Sequence, residues 1–247
     1  MKAKSKKIRK ISSTKTEDGA GAKIKRVFPG SYMRHIDPFV LLDEFFVTPE
    51  AGFPEHPHRG FEAITYMLEG AFRHKDNLGN DGIISAGGAQ RFTAGSGIRH
   101  AELPGAEDMN HGLQLWINLP ENLKEVDPSY QLAASSELPL NNKNGLEIRT
   151  IMGENSPIKL HTETYFLDIK IDNKTVYNDV ISDHLNAIIY VVENKIKMAN
   201  NSISEGEGLI IKSGGKLKIE SNDRSRFVVI AGKPHNYPIR QRGSVVE

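Results

Sequence analysis

The 247-residue sequence contains no cysteine. This absence excludes a disulfide framework, a thiolate metal site and a cysteine nucleophile. Any metal ligand in this chain must therefore supply nitrogen or oxygen. A protein without cysteine also suits a reducing compartment, and we expect a cytoplasmic location.

Long apolar runs and a strong net charge are absent as well. No stretch approaches the roughly 18 apolar residues that span a bilayer, so we expect no membrane partner. The formal net charge is +1, which gives no overall field toward nucleic acid. The N-terminus is basic but lacks the apolar segment of a signal peptide. We predict a solvated terminus rather than a nucleic-acid arm for its charged residues, which are Lys2, Lys4, Lys6, Lys7, Arg9 and Lys10.

Short apolar segments bounded by glycine, asparagine, aspartate and proline fill most of the chain, and long helical periodicity is missing. This pattern predicts an all-β protein of the sandwich or barrel type. The turn signal at 77–82 predicts a hairpin. The polar stretch 121–145 predicts a linker between a domain at 1–120 and a second domain at 146–247. The predicted strands are 23–27, 61–68, 82–85, 114–119, 146–151, 165–171, 187–192, 208–212, 216–220 and 226–231.

Two short segments carry residues that bind metals. His56 and His58 are two residues apart, so both side chains face one side of an extended strand. Pro57 between them points the other way and fits an edge strand, since proline cannot donate to a ladder. His100 and Glu102 repeat the same spacing after a glycine-rich turn.

Three imidazoles and one carboxylate form a plausible site for a transition metal. An octahedral ion with these four ligands keeps two positions open, as in non-haem iron centres. On ligand type alone, zinc with three histidines and a water is a competing interpretation.

Four blocks of the sequence, in this order, resemble the pirin family. The blocks are Asp37–Phe45 (DPFVLLDEF), Gly52–Glu62 (GFPEHPHRGFE), Thr93–Glu102 (TAGSGIRHAE) and Gly112–Pro120 (GLQLWINLP). The resemblance implies two cupin-type jelly-roll β-barrel domains packed together. It also implies a single metal, usually iron, in the N-terminal barrel on His56, His58, His100 and Glu102. Copper, manganese, nickel and zinc remain possible metals, and we expect no metal in the second barrel.

Several other residues receive an interpretation from the sequence. Glu62 and Glu102 are the candidate catalytic bases, and we expect Glu62 near the metal or over the cavity. Gln114 is either a donor that orients a metal ligand or an interior amide. Arg91 follows Gln90 where the family has an aromatic residue, and it favours an anionic substrate if it faces the cavity. The remaining histidines are interpreted as structural or solvated: His35, His74, His111, His161, His184 and His235.

Two functions are consistent with the resemblance. The first is a metal-dependent dioxygenase with possible quercetin 2,3-dioxygenase activity on a flavonol-like small molecule. The second is a metal-bearing regulatory protein that acts through a transcription factor or a metabolic enzyme. An exposed patch near the first barrel favours the regulatory function, and Lys23, Lys25, Arg26 and Arg34 are its candidate residues. A monomer is expected.

Overall fold

The structure is a computed structural model that describes residues 8–31 and 33–247. Within these ranges the chain forms strands and one 3₁₀ segment, Glu121–Leu123. The first twelve strands are β1 (Ile8–Ser12), β2 (Thr14–Asp18), β3 (Ala22–Phe28), β4 (Phe39–Val47), β5 (Phe53–His58), β6 (Phe61–Glu69), β7 (Ala71–Asp76), β8 (Asp81–Ser85), β9 (Ala89–Thr93), β10 (Ile98–Pro104), β11 (Asn110–Asn118) and β12 (Ser129–Ala133). The others are β13 (Leu140–Lys143), β14 (Leu146–Met152), β15 (Thr164–Ile171), β16 (Val176–Ile181), β17 (Asn186–Glu193), β18 (Lys195–Met198), β19 (Asn201–Ser204), β20 (Glu207–Ile211), β21 (Gly215–Glu220), β22 (Ser225–Gly232), β23 (Gln241–Arg242) and β24 (Val245–Val246).

The described chain divides into two compact units. The first unit contains Thr14–Leu138, Pro157–Thr162 and His235–Glu247. The second unit contains 8–13, Pro139–Ser156 and Glu163–Pro234. No helix in the described part of the chain is long and apolar enough to cross a membrane.

Both units are built from a seven-stranded and a four-stranded antiparallel sheet. In the first unit the strand orders are β12-β9-β6-β11-β4-β3-β2 and β5-β10-β7-β8, with β23 and β24 as a separate pair. In the second unit the orders are β1-β20-β17-β22-β15-β14-β13 and β16-β21-β18-β19. Strand by strand, the second unit repeats the first, which confirms the predicted all-β fold of two jelly-roll units.

Apolar residues from both sheets of each unit form its core. In the first unit, Phe45 of β4 stacks on Phe72 of β7 with ring centroids 5.0 Å apart. In the second unit, Tyr177 of β16 meets Phe227 of β22 edge to face at 5.8 Å. Such alternating inward positions explain why ten strands could be located from the sequence. The predicted hairpin at 77–82 is confirmed between β7 and β8.

The units differ from the segments 1–120, 121–145 and 146–247 at both chain ends and in the linker. β1 pairs with β20 of the second unit, and 235–247 belongs to the first unit. Within 121–145, β12 pairs with β9 and β13 pairs with β14. The common physical reason is edge pairing: β1 and β12 supply hydrogen bonds to edges that would otherwise stay open. Exposed edge strands need no apolar alternation, so they left little signal in the sequence.

The basic N-terminal run lies partly outside the described residues and partly in β1. Lys2, Lys4, Lys6 and Lys7 lie outside the described residues. Arg9 and Lys10 lie in β1, where the Lys10 ammonium forms an ion pair of 2.8 Å with Glu207. The described part of the predicted solvated terminus is therefore an exposed strand of the second unit.

Candidate metal centre

His56 and His58 lie on β5, which is an edge strand of the four-stranded sheet in the first unit. The edge position accommodates Pro57, as predicted from its missing N–H group. The chain leaves this strand through Gly60, whose φ is +82°. A Cβ atom at Gly60 would lie 2.0 Å from the Val246 carbonyl oxygen. Glycine is therefore required where β5 turns into β6.

His100 lies on β10, the neighbour of β5, directly opposite His56 in the ladder. A bulge separates His100 from Glu102 on this side of the strand. On its other side β10 pairs with β7, where His100 lies opposite Asp76 and Glu102 opposite His74. The two ligand segments of the sequence therefore meet through a strand ladder.

The imidazoles of His56, His58 and His100 converge. His56 Nε2 is 2.9 Å from His58 Nε2 and 3.2 Å from His100 Nε2. Together the three residues form a cluster whose ligand atoms lie within 4.8 Å of one another. His58 is 4% exposed and His100 is 1% exposed, so little water reaches either ring.

The Nδ1 atom of each ring has a partner outside this centre. His56 Nδ1 lies 2.7 Å from the Pro54 carbonyl oxygen, and His58 Nδ1 lies 3.4 Å from the Ser244 carbonyl oxygen. A carbonyl can only accept, so Nδ1 carries the hydrogen in both rings and Nε2 keeps its lone pair. His100 Nδ1 lies 3.2 Å from the Nδ1 atom of His74.

Burial and mutual repulsion keep two of these rings neutral. Burial, followed by the neighbouring imidazoles of His100 and His56, lowers the pKa of His58 to about 3. Burial, followed by His56 and His74, lowers the pKa of His100 to about 2. Neutral imidazoles are the form that binds a metal, so the donor chemistry fits a transition-metal ion.

Glu102 is buried beside the cluster, and its carboxylate is held by three side-chain donors. Thr65 Oγ1 and Gln90 Nε2 donate to Oε1 at 2.9 and 2.8 Å, and Gln114 Nε2 donates to Oε2 at 2.6 Å. Glu102 forms a second candidate cluster with His74 and His100. Gln114 therefore orients Glu102, and the metal-binding role of Glu102 stays a prediction.

A cavity of about 320 Å³ opens onto these groups. Two of the three histidines, Glu102 and Gln114 line it, together with aromatic and aliphatic side chains and a charged rim. The lining residues are Asp18, Ile24, Arg26, Pro29, Leu41, Asp43, Phe45, Phe53, His56, His58, Glu102, Gln114, Trp116, Gln241, Gly243 and Ser244. Apolar walls with convergent polar groups are usual in small-molecule sites, and here nine of the sixteen lining residues are polar or charged.

Three charged residues of the rim form one ion-paired group. Arg26 donates to both carboxylate oxygens of Asp43, at 3.0 Å from Nε and 2.7 Å from Nη2, and to Asp18 at 2.9 Å. Burial raises the pKa of Asp43 to about 6, and Arg26 opposes that rise. The Asp43 hydrogen bond is the main reason that the pKa of Arg26 lies above its usual value.

Glu62 and Arg91 lie away from this cavity. Because the chain turns at Gly60, Glu62 does not continue the face of His58. Thr93 Oγ1 donates to the Glu62 carboxylate at 2.9 Å, and the same carboxylate accepts the His161 backbone N–H at 3.0 Å. Arg91 Nη1 donates to Thr93 and Ser129 at 2.8 and 2.7 Å. Neither Glu62 nor Arg91 is among the lining residues of the cavity.

The sequence interpretation missed His74 and Asp76. His74 is fully buried, and its Nε2 atom lies 3.0 Å from Asp76 Oδ2. The available signal was a His-x-Asp pair before the predicted hairpin, but pairing of β7 with β10 could not be known from spacing. The other histidines have local partners: His35 contacts Val40, His111 Glu44, His161 Glu62, His184 Glu163 and His235 Thr162.

Comparison with known proteins gives matches in both units. The family model described as Pirin matches residues 21–117, and the model described as Pirin C-terminal cupin domain matches residues 166–247. Pirin-like protein 2 of Arabidopsis thaliana is 38% identical over 97% of this chain and 78% of its own length. Pirin of Homo sapiens is 37% identical over 96% of this chain and 85% of its own length. A solved structure of quercetin 2,3-dioxygenase from Acinetobacter baumannii has a TM-score of 0.90 and 26% identity, covering 98% of this chain and 91% of that one.

Proposed function

Because the chain belongs to the pirin family, we propose that it is a metal-dependent dioxygenase that acts on flavonols such as quercetin. One ion binds to His56, His58, His100 and Glu102. The observation that carries the proposal is the convergence of three histidine Nε2 atoms beside the cavity. The Nε2 atom of His56 lies within 3.2 Å of the Nε2 atoms of His58 and His100. The similarity to a quercetin 2,3-dioxygenase structure supports the choice of test substrate.

The donor set favours a first-row transition metal with open positions. Three imidazoles and a carboxylate suit iron, copper, manganese, nickel or zinc, and the family implies iron first. When bound, the metal would supply the Lewis-acid and redox chemistry needed to bring a phenolic oxygen and dioxygen together.

The protein's own residues would bind the flat substrate, exclude water and accept one proton. Trp116, Phe45 and Phe53 give the cavity flat apolar walls that suit an aromatic ring system. Glu102 is the better placed of the two predicted bases, since it lines the cavity and Glu62 does not. We assign to Glu102 the removal of the proton from the flavonol hydroxyl. Gln114 would keep the carboxylate in position.

The regulatory function is less well supported by the predicted surface patch. The Lys25 ammonium forms an ion pair of 3.2 Å with buried Glu44. Arg26 is engaged by Asp43 and Asp18. Two of the four candidate charges are thus compensated within the first unit, which weakens a basic docking surface.

The test combines metal analysis with oxygen chemistry. Protein loaded in turn with iron, copper, manganese or nickel is given quercetin, and substrate loss, oxygen uptake and carbon monoxide release are followed together. We expect about one metal per chain, loss of the metal in His56→Ala and His100→Ala, and its retention in His161→Ala. In protein whose metal content is confirmed, Glu102→Gln should lower kcat by about 10²-fold or more if Glu102 is the base.

Two results would count against this proposal in different ways. If His56→Ala keeps its full metal content, the ligand set is wrong. If every loaded form has its metal and none consumes quercetin, the dioxygenase function fails and the regulatory function takes precedence.

A further inference from the structure

The ring of His100 differs from those of the other two histidines in what holds its Nδ1 atom. His56 and His58 face backbone carbonyl oxygens, which fix their tautomers without further help. His100 Nδ1 faces the Nδ1 atom of His74 at 3.2 Å. An imidazole nitrogen can donate or accept, so this contact alone leaves the tautomer of His100 open.

Asp76 resolves that choice. Its Oδ2 atom lies 3.0 Å from His74 Nε2, and a carboxylate only accepts. His74 Nε2 therefore carries a hydrogen, and in the tautomer with that single hydrogen the lone pair lies on Nδ1. That lone pair accepts the hydrogen of His100 Nδ1, which leaves the lone pair of His100 on Nε2. His100 Nε2 is the atom that faces His56 at 3.2 Å.

The Asp76 carboxylate is itself held firmly in the β7–β8 hairpin. Oδ1 accepts the backbone N–H groups of Leu78 and Asn80 at 2.9 and 3.0 Å. The Asn80 side-chain amide donates to Oδ1 at 3.1 Å and to Oδ2 at 2.9 Å. His74 and the Asp76 side chain have no exposed surface, so water cannot replace either contact.

We propose that Asp76 and His74 are positioning residues that set the tautomer of His100 and thereby aim its Nε2 lone pair at the metal. The inference rests on the proposed metal site and deepens it. It gives His74 the role of an outer partner and not of a ligand, although His74 also lies in a candidate cluster with His100 and Glu102. Outer partners of this kind typically contribute 10–100-fold to metal affinity.

Asp76→Asn is a nearly isosteric change that reverses the direction of the hydrogen bonds linking Asp76, His74 and His100. We call this chain of hydrogen bonds the relay. The amide oxygen of the new side chain will stay on the Leu78 and Asn80 backbone N–H groups, because turning the amide would set its NH₂ against both of these donors. The unturned amide gives up only the Asn80 side-chain bond to Oδ2, and Asn80 keeps its bond to Oδ1. The amide NH₂ then faces His74 Nε2, which must accept. His74 Nδ1 becomes a donor, His100 Nδ1 must accept, and the hydrogen of His100 moves to Nε2. The lone pair that the metal needs is lost.

The experiment measures the dissociation constant for Co²⁺ by its visible absorption, in metal-free protein of the full chain. We expect Asp76→Asn to raise that constant by about 10–100-fold. His111→Gln is the matched control, because His111 also bonds a buried carboxylate, Glu44 at 2.8 Å, in the same unit. Its Co²⁺ affinity should equal that of the wild type. Thermal unfolding of each metal-free variant reports whether the fold is kept.

A double-mutant cycle separates the relay from simple loss of structure. His74→Gln removes the ring through which Asp76 acts, so adding Asp76→Asn in that background should change the Co²⁺ constant by less than about 2-fold. Unchanged binding by Asp76→Asn, or additive effects in the cycle, would overturn the inference. So would loss of one coupled nitrogen from the Cu²⁺ EPR spectrum of His74→Gln, because His74 would then be a ligand. A wild type that binds no Co²⁺ defeats the proposed site itself, whereas one that binds Co²⁺ but leaves quercetin intact defeats only the dioxygenase function.

Discussion

Each histidine of the cluster presents Nε2 to its neighbours because a different group holds Nδ1. Sequence spacing predicted which histidines would share a face, since alternation along a strand fixes that geometry. Sequence spacing could not predict the groups that accept the hydrogens of the Nδ1 atoms. Ser244 is 186 positions from His58 in the chain, and His74 reaches His100 only through the pairing of β7 with β10.

The ionisation of Asp43 should make the stability of the protein depend on pH. Its pKa in the folded state is raised to about 6 by burial, above the unfolded value near 3.9. The folded state thus holds its proton more tightly, so its contribution to stability is complete below about pH 4 and is lost as pH rises through about 6. The shift corresponds to roughly 3 kcal/mol as an upper bound.

The measurement is urea unfolding of metal-free wild type and Asp43→Asn between pH 4 and 7. We expect the wild type to lose stability relative to the variant as pH rises across this window. The reverse trend would mean that the ion pair with Arg26 outweighs burial and that Asp43 ionises at an ordinary or lower pH.

At the scale of elements, most inner strands of the two seven-stranded sheets were predicted, whereas their edge strands β1, β2, β12 and β13 were not. Exceptions include β8, an edge strand that was predicted, and β4, a buried strand that was missed because Asp43 and Glu44 interrupt its apolar sequence. β6, β17 and β22 are buried along nearly their whole length, and each was located within one or two residues. β13 reads Leu-Asn-Asn-Lys, and all four residues are exposed, so neither periodicity nor burial distinguishes it from a loop. β5 and β10 carry the paired residues that the spacing selected as ligands, and their role as ligands stays a prediction. Glu62 does not line the cavity, because the chain turns at Gly60 between β5 and β6.

Gly60 fixes the end of β5, and its replacement should be costly. Gly60→Ala adds a Cβ atom that would meet the Val246 carbonyl oxygen at 2.0 Å, at a φ of +82°. Gly79→Ala is the matched control: its φ is +92° and nothing lies within 4 Å of the added atom. The control should lose about 1 kcal/mol of unfolding free energy from backbone strain alone. Gly60→Ala should lose at least about 2 kcal/mol, measured by urea unfolding. Equal losses of unfolding free energy in the two variants would show that Val246 moves away from the added Cβ atom without cost.

At the scale of the whole molecule, one strand plan occurs twice, and among the described residues the candidate site lies in one copy. Both clusters of potential ligands found among the described residues lie in the first unit. In the second unit the positions equivalent to β5 and β10 are β16 and β21, whose sequences are VYNDVI and GKLKIE. The shared architecture therefore fixes where a site could form, and the side chains on two strands decide whether it does.

The final segment of the chain, residues 235–247, contacts the candidate site in the first unit. The Ser244 carbonyl faces His58, and three residues of the segment line the cavity. Lys124 secures the segment by donating to the carbonyl oxygens of Gly60 at 2.7 Å and Val246 at 3.0 Å. Deleting residues 235–247 removes the acceptor that fixes the His58 tautomer and opens the cavity to water. We expect the Co²⁺ dissociation constant to rise by about 10-fold or more.

Lys124→Met tests the same idea with the chain intact, and it should weaken Co²⁺ binding less than the deletion does. Lys212→Met, at an exposed lysine of the second unit, is the control. Hydrogen exchange should show faster exchange in β5 and β6 for both changes, while β15, β17 and β22 of the second unit stay protected, because their ladders lie in a separate sheet. Unchanged Co²⁺ affinity after the deletion would mean that the tail covers the cavity without contributing to the metal site. Loss of protection in β15, β17 and β22 would mean that the two units unfold together.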